Sequence, residues 1–132
     1  MIFVDTSFWI ALALRSDDHH TDAVALLESR GDERLVTTNH VLGETWTFMR
    51  RRHHHAGATR FLDRVERAER LEIAFTSAEL EREAWAWLRR HDERAYSFVD
   101  ATSFALMHDR RIREALSFDG DFAAGGFIEL GA

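Results

Sequence analysis

Short apolar runs alternate along this chain with longer segments of helical spacing. Ile2 to Val4 is a continuous apolar run, as expected of a central parallel strand buried on both faces. A helix is predicted straight after it over Phe8–Leu14. Arg15 to His20 forms a polar break, and helix resumes over Thr21–Arg30 with Ala23, Val24 and Leu27 on one side. Gly31-Asp32 ends that helix, and Leu35 to Thr38 reads as a second strand. Asn39 is a suitable N-cap for a helix to about Arg52, in which Val41, Leu42, Thr45, Trp46 and Met49 follow helical spacing. A further helix is expected over Ala56–Arg70, with Phe61, Val65 and Ala68 facing inward. Leu71 to Phe75 alternates like a third strand. Thr76 with Glu79 resembles a capping box opening a helix to about His91, and Ser97 with Asp100 another opening a helix to Arg110. Ala115 to Phe118 and Phe127 to Leu130 supply a fourth strand and a short fifth at an edge.

This βαβα rhythm predicts an α/β fold with a parallel sheet between helix layers and right-handed crossovers. At 132 residues, with no proline and no repeat, the chain is expected to form one domain over 1–132. Hydrophobic content of 45% and 30% charged residues describe a globular rather than a disordered chain. The absence of cysteine excludes disulfides, zinc–thiolate sites and thiol catalysis. The N-terminus reads as a strand, not a signal peptide, and no segment approaches the ~20 apolar residues of a membrane span. A cytoplasmic location is the expectation.

Four stretches each set an acid where a buried strand is expected to hand over to a helix or loop: Val4-Asp5-Thr6-Ser7, Asn39 to Glu44, Ser97-Phe98-Val99-Asp100, and Ser117-Phe118-Asp119-Gly120-Asp121. Ligands of open α/β sheets bind outside the carboxyl ends of the strands, so acids placed there converge. Two unit charges about 4 Å apart repel by roughly 4 kcal/mol at an effective dielectric near 20. A divalent cation relieves such repulsion, and oxygen ligands without sulfur point to Mg²⁺ or Mn²⁺. That is the chemistry of a metal-dependent phosphodiesterase. Each aspartate also has an ordinary structural explanation. Asp5 can cap a helix, Asp100 can complete a capping box, and Asp119 and Asp121 sit in an Asp-Gly-Asp turn. Glu44 lies a turn past its helix start, where capping does not require it.

The order VDTS, an Asn-x-x-x-x-Glu helix, SFVDA before a helix, and S-F-D-x-D-F resembles the PIN-domain nucleases over the whole chain. Within them it is most similar to the short VapC-type toxins of bacterial toxin–antitoxin pairs. The resemblance implies a three-layer α/β/α sandwich around a parallel sheet of four to five strands. It implies Mg²⁺- or Mn²⁺-dependent cleavage of RNA, with Asp5, Glu44, Asp100 and Asp119 as the acidic quartet and Asp121 as an adjacent acid. Thr6, Ser7 and Asn39 match the polar positions beside the first two acids. A VapB-like antitoxin, an RNA substrate and a homodimer or toxin–antitoxin hetero-oligomer follow from the same likeness. A non-catalytic RNA-binding or interaction module on this fold is the alternative.

Net charge is −6, which argues against a generic polyanion-coating protein, yet all 17 cations are arginine. Arginine grips phosphate bidentately, and Arg50, Arg51 and Arg52, with the stripe Arg60, Arg64 and Arg67, are the candidate RNA contacts. The lack of lysine excludes receiver-domain and haloacid-dehalogenase chemistry, both of which lean on one. His53-His54-His55 suits a single ion poorly, because adjacent residues point to different sides of a helix, and Asp17-Asp18-His19-His20 reads as a polar loop. Trp85 and Trp87 lie two apart, so one of them is expected at the surface, where tryptophan marks interfaces.

Overall fold

The computed structural model describes residues 1–131. Five strands form one parallel sheet in the order β3-β2-β1-β4-β5: β1 Ile2–Val4, β2 Leu35–Thr38, β3 Leu71–Ala74, β4 Glu114–Leu116 and β5 Ile128–Leu130. Helices α1 Thr6–Ala13, α2 His20–Ser29, α3 Asn39–Arg52 and α4 His55–Arg67 connect the first three strands, while α5 Ala78–Arg90, α6 Phe98–Arg110 and the short α7 Asp121–Ala124 serve the return to β4 and β5. Right-handed crossovers that step first one way and then the other put the two sets of helices on opposite faces. The result is the expected three-layer sandwich. The direction of winding reverses between β1 and β4, and the crevice outside their carboxyl ends is the ligand position of such a sheet.

Burial explains the strand pattern. Ile2, Phe3 and Val4 are wholly inaccessible, since β1 is central and covered on both faces. Phe3 stacks on Phe122 of α7 at 5.8 Å between centroids, and Phe104 of α6 meets Phe122 edge-on at 5.0 Å. On the other face Trp9 of α1 packs edge-on against Phe61 of α4 and donates its Nε1–H to Thr37 Oγ1 of β2. Each fully buried aromatic or aliphatic side chain of this kind contributes about 1.5–3 kcal/mol before the cost of ordering it.

Several expected boundaries move by one residue. Thr38, not Asn39, is the N-cap of α3: its backbone is extended and its hydroxyl accepts from Val41 N, leaving Asn39 as the first helical residue. Ser77, not Thr76, caps α5 and accepts from Leu80 N, while the Thr76 hydroxyl donates to Glu81. Asp100 does not follow a strand. A loop leads into Ser97, and Asp100 lies in the first turn of α6. Of the two neighbouring tryptophans, Trp85 is the exposed one and stacks on Phe98.

Candidate active site

Asp5 directly follows β1 and caps α1, and it is only 2% exposed. Its Oδ2 accepts from the Ser7 hydroxyl at 3.1 Å and from the Ser117 hydroxyl, just past β4, also at 3.1 Å. Ser117 also reaches Asp119 Oδ1 at 3.3 Å, so one serine joins the acids that follow the two strands at the crevice. Ser117 belongs to the S-F-D motif, but nothing in the sequence alone distinguished it from a strand-end serine.

Asp100 enters from α6. Its carboxylate accepts from Ser97 N at 2.9 Å while Ser97 Oγ accepts from Asp100 N at 2.9 Å, completing the capping box that the sequence suggested. The box does not compete with a site role; it fixes the rotamer of a carboxylate aimed at its neighbours. One carboxylate oxygen from each of Asp100, Asp119 and Asp121 lies within 4.8 Å of the others.

Asp119 and Asp121 are set by a turn that depends on two distant residues. Gly120 takes the left-handed conformation, φ 82°, and carries no side chain to cap α7. Glu129 of β5 does so instead: its carboxylate accepts from the amides of Gly120, Phe122 and Ala123 at 2.9 to 3.1 Å. From the other side Arg94, in the loop between α5 and α6, donates Nε–H to Asp121 Oδ1 at 2.6 Å. Neither Glu129 nor Arg94 carries a local motif.

The charges are under strain without a cation. Burial, with the nearby negative charge of Asp119 and Asp100, pushes the Asp5 carboxyl up to about 7. Burial also raises Asp100 to about 6, against the opposing hydrogen bonds from Ser97, and raises Asp119 above the ordinary carboxylate range. Hard carboxylate oxygens that burial holds back from ionising suit a hard divalent cation. Thr6 Oγ1, buried beside Asp5, has no hydrogen-bond partner among the described residues.

The other expected residues are placed around this centre. Glu44 is exposed and lies outside the group of mutually close carboxylates; it lines an open groove of about 640 Å³ with Asn39, Arg51, Arg52 and Val99, the neighbour of Asp100. Asn39 accepts from Thr76 N at 3.4 Å. Arg60 and Arg64 line a different, largely apolar cavity of about 270 Å³ with Trp9, Leu12, Phe61 and Val65. That cavity reaches Leu35 and Leu71, the first residues of β2 and β3, and so lies toward the amino ends of the strands, away from the acids. Arg50 and Arg67 are exposed at helix ends.

Comparison with known proteins identifies the family of the chain. The PIN-domain family model matches residues 2–128. The chain is 52% identical over 134 residues to the 23S rRNA-specific endonuclease VapC20 of Mycobacterium tuberculosis, with 98% of both chains covered. It is 29% identical to a VapC ribonuclease of Archaeoglobus fulgidus, over 91% of this chain and 78% of that protein. The crystal structure of M. tuberculosis VapC20, described as a sarcin-ricin loop cleaving toxin, matches with a TM-score of 0.91 and 48% identity, over 97% of each chain. With the family model spanning nearly every residue and a relative identical at half of all positions, the chain belongs to the PIN-domain family, in its VapC branch.

Proposed function

We propose that this PIN domain is the toxin of a toxin–antitoxin pair and hydrolyses a phosphodiester bond of 23S rRNA in the sarcin-ricin loop. The supporting observation is the gathering of Asp100, Asp119 and Asp121, with Asp5 joined through Ser117, outside the carboxyl ends of β1 and β4. Endoribonuclease activity accords with the names of its relatives, and the specific RNA is taken from the more similar of them.

In this reading Asp100, Asp119 and Asp121 hold a divalent ion, Mg²⁺ or Mn²⁺, with Asp5 as a further ligand on the β1 side. The bound ion supplies charge neutralisation at the phosphate and activation of water for in-line attack. The chain's own part is positioning. Ser97 orients Asp100, the Ser7 and Ser117 hydroxyls orient Asp5, and Glu129 and Arg94 hold the turn that presents Asp119 and Asp121. Glu44, Asn39, Arg51 and Arg52 line the adjoining groove and are assigned to the path of the RNA strand. The apolar cavity between α1 and α4 is assigned to a helix of the antitoxin, with Arg60 and Arg64 at its lining as partners for acidic residues.

The test is incubation of purified protein with ribosomes and Mg²⁺ or Mn²⁺, followed by mapping of new 23S rRNA ends, beside Asp100→Asn. A single cut by the wild type alone, together with growth arrest when the gene is induced alone in a bacterial host, is the expected result. Well-folded wild type that leaves ribosomal RNA intact overturns the substrate; if it cuts no RNA at all, the nuclease reading falls.

A further inference from the structure

Among the described residues, Arg94 is the one arginine that hydrogen-bonds to an acid of the carboxylate group. Its Nε donates to Asp121 Oδ1 at 2.6 Å and its Nη2 to the Asp119 carbonyl oxygen at 3.0 Å. Gly120 makes room for it, since a Cβ at that position would stand 3.0 Å from Nη2. Attachment at two points, one of them on the backbone, fixes the plane of the guanidinium. Arginine carries five N–H donors. Here Nη1 makes no hydrogen bond among the described residues, and the side chain remains 43% exposed.

Fold stability is a poor account of this contact, because an exposed ion pair contributes little. Substrate charge is a better one. A chain of net charge −6 must bring a polyanion up to a cluster of aspartates. Of the arginines that the sequence suggested, Arg60 and Arg64 line the apolar cavity toward the other end of the strands, and Arg51 and Arg52 line the groove beside Glu44. Arg94 is the one tied directly to the acids. A pinned guanidinium with unspent donors is preorganised for a phosphate, which it can grip with two parallel N–H bonds.

We propose that Arg94 is a phosphate-binding residue of this site: held by Asp121 and the Asp119 carbonyl, it grips the RNA phosphate that adjoins the scissile bond. Asp121, one of the acids assigned above to hold the ion, then also positions Arg94. The proposal rests on the ribonuclease reading above.

The test compares the wild type with Arg94→Ala and Arg94→Lys in three measurements on the full chain. These are binding of a fluorescent RNA hairpin in EDTA at several salt concentrations, steady-state cleavage with Mn²⁺, and calorimetric titration with Mn²⁺ alone. Arg94→Ala is expected to weaken hairpin binding and raise KM by about tenfold, and to flatten the salt slope by about 0.7 to 1, as loss of one phosphate contact requires. Its Mn²⁺ affinity should change by less than its hairpin affinity, because the three Glu129 bonds still hold the turn. Arg94→Lys, which keeps the charge but not the fork, should fall between the two. Equal hairpin affinity and salt slope in wild type and Arg94→Ala overturn the proposal. So does a loss of Mn²⁺ binding that accounts for the whole change, since Arg94 would then only support the metal site. Should the wild type cut no RNA, the nuclease reading fails by itself, and the hairpin titration still decides Arg94.

Discussion

The hydroxyls of Ser7 and Ser117 lie 3.1 Å apart across 110 residues of sequence, and both rest on Oδ2 of Asp5. Ser7 Oγ also accepts the amide of Phe118 at 3.0 Å, which ties the turn after β1 to the turn after β4. Ser117 has a single proton to offer, and Asp5, Asp119 and Ser7 all lie within reach of it. At least one of the two carboxylates therefore lacks that donor at any moment. This shortage compounds the burial that already raises Asp5 and Asp119.

Ser117→Ala removes the shared donor from a fully buried position. It should cost about 1 kcal/mol of stability, a few degrees in melting temperature. Cleavage should fall further, by roughly 10- to 100-fold, because Asp5 loses one of the groups that orient it. Melting curves and cleavage rates measured on the same preparation check this. An unchanged rate would show that Ser7 alone suffices to hold Asp5.

Asp100→Asn and Asp100→Ala should separate charge from capping. Asparagine keeps an oxygen that can accept from Ser97 N, so its metal-free melting temperature should equal or exceed that of the wild type, with negative charge removed from the cluster. Alanine loses half of the capping box and should be about 1 kcal/mol less stable. Both should lose nearly all cleavage. Asp5→Asn should match Asp100→Asn in these respects, because desolvation is the largest cause of its raised pKa. Wild-type cleavage by any of the three purified variants removes that residue from the site.

How far the sequence is legible follows from the range of each interaction. β1 and the Ser97–Asp100 box were legible because their signals are local: an apolar run closed by an acid, and two capping residues three apart. Thr38-Asn39 and Thr76-Ser77 each offer two adjacent capping residues, and propensity cannot choose between them; the extended backbone of Thr38 and Ser77 does. The short α7 carries no periodic signal, since four residues make barely one turn and its amides are capped by Glu129 of β5. Ser117 and Arg94 act only through contacts that chain folding creates. Glu44 lines the neighbouring groove and, like Asp5, lies outside the group of three mutually close carboxylates, an arrangement that only the folded chain path sets.

Glu129→Ala leaves three amides of the Gly120–Ala123 turn without their acceptor. It should destabilise the protein by about 1–3 kcal/mol and loosen the turn that presents Asp119 and Asp121. Mn²⁺ affinity, read by calorimetry, should therefore fall, because the Glu129 carboxylate is already spent on the amides of the turn. Glu129→Gln retains one carbonyl oxygen and should lose less of both. Full Mn²⁺ affinity in Glu129→Ala would mean that Arg94 and the backbone hold the turn unaided.

The raised carboxyls also set how metal-free stability depends on pH. Asp5 stands near 7 and Asp100 near 6 in the folded protein, against an ordinary value of 3.8. Between those limits the folded state binds more protons than the unfolded chain, so stability falls as pH rises from about 4 to about 7 and levels off above. At about 1.4 kcal/mol per unit, these groups together contribute on the order of several kcal/mol. A divalent ion needs the ionised carboxylates, so its stabilising effect should run the opposite way, small near pH 5 and large near pH 8. Thermal scans with EDTA and with Mn²⁺ at both pH values measure the two trends together. In Asp100→Asn both should shrink, the EDTA trend because one raised acid is gone and the Mn²⁺ trend because one ligand is. If the wild type shows a melting temperature independent of pH in EDTA and an equal Mn²⁺ shift at pH 5 and pH 8, the acids are not the frustrated cluster that burial and proximity make them.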